Sequence, residues 1–230
     1  MPALLFSDPR FVVIDKPAGL KVHPGPGGGA SVEDWFGLLS RRRDGPWLAH
    51  RLDADTAGCL VIALRRAALH GAQACFAEGR AGKIYWAVVD GVPPALSGRI
   101  TAPLSKQSDR SGGWRMVVDR QGAEARTDYT IIGQSGGRCW LELRLHSGRT
   151  HQARVHCASV GCPILGDPVY GAPSQGPRLH LLARHIDLPL DPPVSATAPP
   201  PPHMIEALTA CGYIPSSISP QALPEGQAAR

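Results

Sequence analysis

Hydrophobic and polar positions along the chain alternate between short apolar runs and Gly- or Pro-marked breaks, with only a few longer stretches of helical spacing. Residues 11–14 read as a first strand, broken by Lys16-Pro17-Ala18-Gly19 before a second extended piece at 20–23. After a Gly-rich loop, Ser31 with Asp34 three positions on predicts a capped helix carrying Trp35, Leu38 and Leu39, ended by Arg41-Arg42-Arg43. The apolar run 59–64 predicts a buried strand. Residues 67–78 have helical spacing through Leu69, Ala72, Cys75 and Phe76, with Gly79 as the stop.

From there strand-like pieces return. Residues 83–89, 98–102, 114–118, 125–132 and 139–145 are β-rich and separated by Gly, Asp, Ser or Pro, which predicts a largely antiparallel sheet. Thr150 is placed to cap a helix over 151–160, with Gly161 and Pro163 beyond its end. Past Leu190 the chain turns Pro-rich, then offers a short amphipathic helix at 203–211 and a loose tail at 215–230. The expected fold class is α+β, a mixed α/β single domain over 1–214 with a bent, mainly antiparallel sheet flanked by helices.

Composition narrows the partner more than the fold. A chain of 230 residues with 43% hydrophobic positions has enough length for one core, and no apolar run approaches a membrane span. A cytoplasmic protein without a membrane partner is therefore expected. The formal net charge of +5 suits a polyanion. Only Lys16, Lys21, Lys83 and Lys106 among the 24 basic residues are lysines, and the Arg excess suits phosphate and base recognition as well as a genome of biased composition. The six cysteines form no Cys-x-x-Cys pair and fall mostly in apolar stretches, as reduced buried thiols do. A zinc site at Cys157 and Cys162 does not match a common ligand spacing.

The stretch 50–64, H-R-L-D-A-D-T-A-G-C-L-V-I-A-L, puts Asp53 on a turn feeding directly into a buried strand, with Leu52 able to anchor the loop inward. On its own this is equally a well-formed turn with a capping Asp. His50-Arg51-Leu52-Asp53, with Thr56-Ala57-Gly58 just beyond, closely resembles the signature loop of RluA-type RNA pseudouridine synthases. Further blocks of similar kind occur in the family's order. They are Val13 through Leu20, Lys83 through Val89, Ser147-Gly148-Arg149-Thr150-His151-Gln152-Ala153-Arg154-Val155-His156, and Pro163 through Gly171.

The resemblance implies isomerisation of uridine to pseudouridine, with RNA as partner and no metal; the reaction requires no cofactor, and a monomer is expected although no motif reports oligomeric state. It puts the catalytic aspartate at Asp53, a tyrosine packing on uracil at Tyr85, and the basic partner of the carboxylate at Arg149. Arg51 is expected to fill the RNA stack that the uridine leaves, or else to pair with Asp53 or Asp55. Leu181 is expected to close the pocket, with plain core packing as the other reading. His50 and Lys16 are assigned to substrate binding, Lys16 with Lys21 and His23 either touching RNA phosphates or shaping the rim. His151, Gln152, Arg154 and His156 lie beside Arg149, where metal binding or acid-base work is conceivable, and most of them are read as structural. The polar segment 105–113 is read as a loop ordering on a ligand or an ordinary hairpin connection.

Two positions depart from the family pattern: Ala57 stands where Ser is usual and Leu182 where His is frequent. The chain is expected to lack the small amino-terminal RNA-binding domain of many relatives, so that the catalytic domain itself grips a stem-loop of ribosomal or transfer RNA. An RNA-binding protein of the same fold without catalysis, and a glycosidic hydrolase using Asp53 and Asp55, are the alternatives.

Overall fold

The computed structural model describes residues 1–25, 27–41, 44–108, 113–171 and 178–215. The expected Arg42-Arg43 helix end, part of the 105–113 segment and nearly all of the expected tail lie outside the described residues. In chain order the elements are β1 (Leu4–Ser7), β2 (Phe11–Lys16), α1 (Phe36–Leu39), β3 (Trp47–Leu48), β4 (Ala57–Ala63) and α2 (Arg66–Ala77). Next come β5 (Gly82–Asp90), β6 (Ser97–Ile100), β7 (Leu104–Ser108), β8 (Trp114–Val118), β9 (Thr127–Ser135) and β10 (Arg138–Leu145). The chain continues through α3 (Gln152–Ser159), β11 (Leu181–Leu188), β12 (Val194–Thr197) and α4 (Pro202–Ala210).

A ten-stranded sheet runs β1-β2-β4-β11-β5-β10-β9-β6, with β12 attached to β11 and β3 to β4, and β7 and β8 form a separate hairpin. The fold is α+β, as expected. Pairing between the named strands is antiparallel except between β4 and β11, where Leu182 lies beside Ala57 and Ala183 beside Gly58. That late strand, inserted between β4 and β5, joins the first part of the sheet to the second.

Period two decides which side chains meet which layer. Val13, Cys59 and Val61 face α2, α4 and β12, packing with Ala72, Val194 and Met204. Their alternates Val12, Ile14, Leu60 and Ile62 pack on the other face with Val32, Trp35 and Leu52. Because both faces are covered, all of β4 is buried, which is why it reads as a continuous apolar run rather than an alternating one. Along β5 and β10, Ala87, Val89, Leu141 and Leu143 pack under α3 with Ala153 and Cys157.

Local signals succeeded where the periodicity was strong and failed where a polar residue intervened. Asp34 does accept the Ser31 N–H at 2.9 Å, but the residues after Ser31 form a 3-10 turn over Val32–Trp35 and a single α-turn rather than a full helix. Residues 20–23 form no strand, only a bridge from Lys21 to Ser31. Thr150 does not hold the N-cap position of α3: His151 does, in the left-handed conformation at φ 53° and without a capping side-chain bond. Among the described residues no helix is long and apolar enough to cross a membrane, and no group of His, Cys, Asp and Glu is arranged to hold a metal ion.

Candidate active site

The loop between β3 and β4 is pinned on several sides, and this pinning fixes Asp53. Leu52 is buried in the core under β4. The Thr56 N–H closes a turn on Asp53 O at 3.2 Å. His50 Nε2 accepts the Val61 N–H at 3.0 Å, and burial lowers its pKa to about 4, so the ring is a neutral acceptor tying the loop to the strand it precedes. Lys16 is fully buried and donates to the carbonyls of Pro17, Leu20 and Ala54 at 2.9, 2.8 and 2.7 Å. The expectation that Lys16 meets RNA is therefore corrected: with no exposed surface it clamps the turn after β2 to the Asp53 loop. His50 lines the cleft, but its bond and its neutrality make it a loop-fixing residue as well.

Asp53 sits at the floor of a cleft of about 1010 Å³. Its Oδ2 lies 3.7 Å from Arg154 Nη1 and 3.8 Å from His151 Nε2. Arg154 is itself fixed by a bidentate pair with Asp167, Nε to Oδ2 and Nη2 to Oδ1 both at 2.8 Å, and both side chains are almost wholly buried. Asp167 Oδ1 also accepts the Val169 and Tyr170 N–H groups. The Arg154 guanidinium, held by Asp167, thus places a fixed positive charge beside the Asp53 carboxylate.

Arg149, expected in this role, is not the group beside Asp53. It precedes the left-handed His151, lies on the cleft wall, and sends its Nε to the Glu124 carbonyl at 3.0 Å, whereas Arg154 is inside α3 and points at the floor.

Tyr85, on β5, and Leu181, on β11, line the same cleft. Burial raises the Tyr85 pKa, with the Asp53 charge adding to the effect, so the phenol stays protonated. Leu181 is buried and presents an apolar wall. Arg51 is exposed at the cleft and forms no ion pair with Asp53 or Asp55 among the described residues.

Behind the site, a buried polar network explains why α3 carries so many polar residues. Gln152 donates to Arg126 O and Thr127 Oγ1 at 3.0 Å each, and its Oε1 accepts Ser147 Oγ and the Arg149 N–H. His156 bridges Thr127 Oγ1 and Ala102 O. Both buried side chains are thus partnered on each polar atom, and the network locks α3 to β9. Gln152 and His156 serve this network, while His151 and Arg154 line the cleft beside Asp53.

Basic groups dominate the cleft walls: Arg51, Lys83, Arg126 and Arg149 line it. Burial lowers the Lys83 pKa to about 8, and its Nζ donates to Ser147 O at 2.9 Å. An ammonium loses its proton as pH rises through its pKa, so one positive wall charge disappears as the pH climbs past about 8. RNA binding at fixed low salt is expected to weaken about three- to tenfold across that titration. The Lys83→Arg variant, whose charge persists, is expected to show a shallower fall in the same filter-binding titration.

A basic cleft lined by the Asp53 carboxylate and the Tyr85 ring suits a polyanionic ligand. A model of the RNA pseudouridylate synthase family matches residues 10–159. The chain is 38% identical over 148 residues to an uncharacterized RNA pseudouridine synthase of Zymomonas mobilis, across 64% of this chain and 68% of that protein. It is 39% identical over 155 residues to the ribosomal large subunit pseudouridine synthase D of the same organism, across 64% of this chain and 49% of that protein. The solved structure of Human RNA Pseudouridylate Synthase Domain Containing 4 matches with a TM-score of 0.76 at 28% identity, over 91% of this chain and 92% of that one. Several of the curated relatives are matched over only about half of their length. The chain belongs to the RNA pseudouridylate synthase family, whose members are isomerases acting on RNA.

Proposed function

We propose that the chain is itself an RNA pseudouridine synthase that isomerises specific uridines in a structured stem-loop of ribosomal or transfer RNA, with Asp53 as the catalytic carboxylate. The observation that carries this reading is the Asp53 carboxylate held at the floor of a basic cleft beside Arg154 and Tyr85. In the isomerisation the N1–C1′ bond breaks, uracil turns within the site, a C5–C1′ bond forms, the C5 proton leaves and N1 gains one. Atoms balance without a cofactor or metal.

The residues divide this work by chemistry. A target uridine must leave its stack to reach the floor, and the exposed planar head of Arg51 suits the vacated place. Tyr85 and Leu181 give the detached base a flat ring and an apolar wall to turn between. Asp53, with the Arg154 guanidinium beside it, acts on the nucleotide as a nucleophile or base. Arg149 and Lys83 meet the RNA backbone on the walls. Action as a monomer and a cytoplasmic location belong to the same reading. The names of the ribosomal large subunit relatives favour ribosomal over transfer RNA.

Hydrolysis through an Asp53–Asp55 pair has less support, because Asp55 does not line the cleft. Purified protein, incubated with RNA from cells lacking it and labelled with tritium at uracil C5, distinguishes the outcomes. Tritium release with pseudouridine in the digest and no free uracil is expected. Free uracil would instead establish a hydrolase, and no reaction would leave an RNA-binding protein.

A further inference from the structure

The Tyr170 hydroxyl joins the active-site floor to the β7–β8 hairpin. The Met116 N–H, from β8, donates to it at 2.9 Å. On its other side lies His151 Nδ1 at 2.8 Å. The hydroxyl owns one proton; having accepted from Met116, it has that proton to give, and Nδ1 is placed to take it. A neutral imidazole that accepts at Nδ1 carries its own proton on Nε2, and Nε2 faces Asp53 Oδ2 at 3.8 Å. Burial, the largest influence, holds His151 below its ordinary pKa, consistent with the neutral ring.

The ring has little freedom to turn. Trp114 stacks on it at 5.3 Å and 25°, and the Tyr170 ring meets it edge-on at 5.6 Å. The His151 backbone is held at φ 53°, a conformation a side-chain-bearing residue keeps only where its surroundings enforce it. The Tyr170 ring also lies under the Arg154 guanidinium, 5.1 Å from Cζ to the ring centre, so it touches both groups that flank Asp53.

We propose that Tyr170 is a positioning residue for Asp53 acting through His151: its hydroxyl fixes the Nε2–H tautomer and aims that N–H at the carboxylate. Because the same hydroxyl takes the Met116 N–H, the aim depends on the seating of the β7–β8 hairpin, whose exposed face carries Lys106 over the Trp114 ring at 4.7 Å. The inference rests on Asp53 being the catalytic carboxylate.

Tyr170→Phe keeps the ring under Arg154 and removes only the hydroxyl. With a transcript spanning the modified uridine, the single-turnover rate is expected to fall about tenfold to hundredfold while the RNA Kd stays within about twofold. In a double-mutant cycle, Tyr170→Phe is expected to cost nothing further in a His151→Ala background. A wild-type rate in Tyr170→Phe, equal loss of rate and affinity, or independent effects of the two substitutions would overturn the proposal. Imidazole ¹⁵N shifts of the wild-type protein test it without any variant: a protonated Nε2 and bare Nδ1 on His151 are expected, and the reverse tautomer contradicts it. If the wild-type protein converts no uridine, the functional reading has failed instead, and the tautomer measurement still decides the geometry.

Discussion

Arg154→Ala is expected to lower both stability and catalysis, the first by about 3–5 kcal/mol, because removing one partner of a buried pair strands the other's charge. The stranded group is Asp167, whose side chain has no exposed surface and whose two oxygens both bind the guanidinium. The same substitution withdraws the positive charge beside Asp53, so the modification rate is expected to drop by more than about a hundredfold even where the variant still folds. Arg154→Lys keeps the charge but cannot form the two-pronged bond, and is expected to recover only part of either loss. Arg149→Ala gives the contrast. Its guanidinium bonds a carbonyl at the cleft wall, so urea unfolding is expected to stay within about 0.5 kcal/mol of the wild type while the salt dependence of RNA binding loses about one contact. A pair of variants with these behaviours exchanged would return the carboxylate's partner to Arg149.

Gly58→Ala carries the second large effect, and it arises from the sheet rather than from charge. Gly58 stands at φ +108°, where the only parallel pairing of the described sheet brings β4 against β11. A Cβ there would collide with the Ala183 carbonyl oxygen, with its carbonyl carbon at 2.9 Å and with Leu182 Cδ1 at 2.8 Å. Backbone cannot move aside as a flexible side chain can. Strain at positive φ and separation of two central strands together are expected to cost about 3–5 kcal/mol, read from denaturant midpoints. Activity is expected to fall further than stability alone explains, since the start of β4 carries the Asp53 loop. Gly136→Ala, at φ +56° with open space around it, isolates the conformational part and is expected to cost about 1 kcal/mol.

Some of this is legible in the residues, and the rest is hidden for physical reasons. β4 is legible because burial on both faces leaves an unbroken apolar run, and α2 because its buried face repeats at helical spacing. β11 does not read as a strand, since Arg184, His185 and Asp187 interrupt its pattern. In the fold the first two are satisfied across the sheet: Arg184 lies over the Trp86 ring and bonds Ala198 O, and His185 bonds Thr197. Its place between β4 and β5 is a long-range pairing that no local window contains. β7 escapes notice because a polar hairpin on the surface looks like a loop.

At the site, the Asp53 loop, Tyr85 and Leu181 stand out through the resemblance, and the fold brings all of them to one cleft. Lys16 is misplaced by the sequence because a lysine is ordinarily exposed, whereas here three carbonyls converge on its ammonium. Arg154 is overshadowed by Arg149 because both lie in one basic block, and only the left-handed turn at His151 separates their directions.

The measurement that bears most directly on the function is site-by-site mapping of pseudouridine in total RNA from cells lacking this protein, complemented with the wild type or with Asp53→Ala. Catalysis by Asp53 predicts that one or a few uridines lose the modification and that only the wild type restores them. No change at any site, or full restoration by Asp53→Ala, would contradict it.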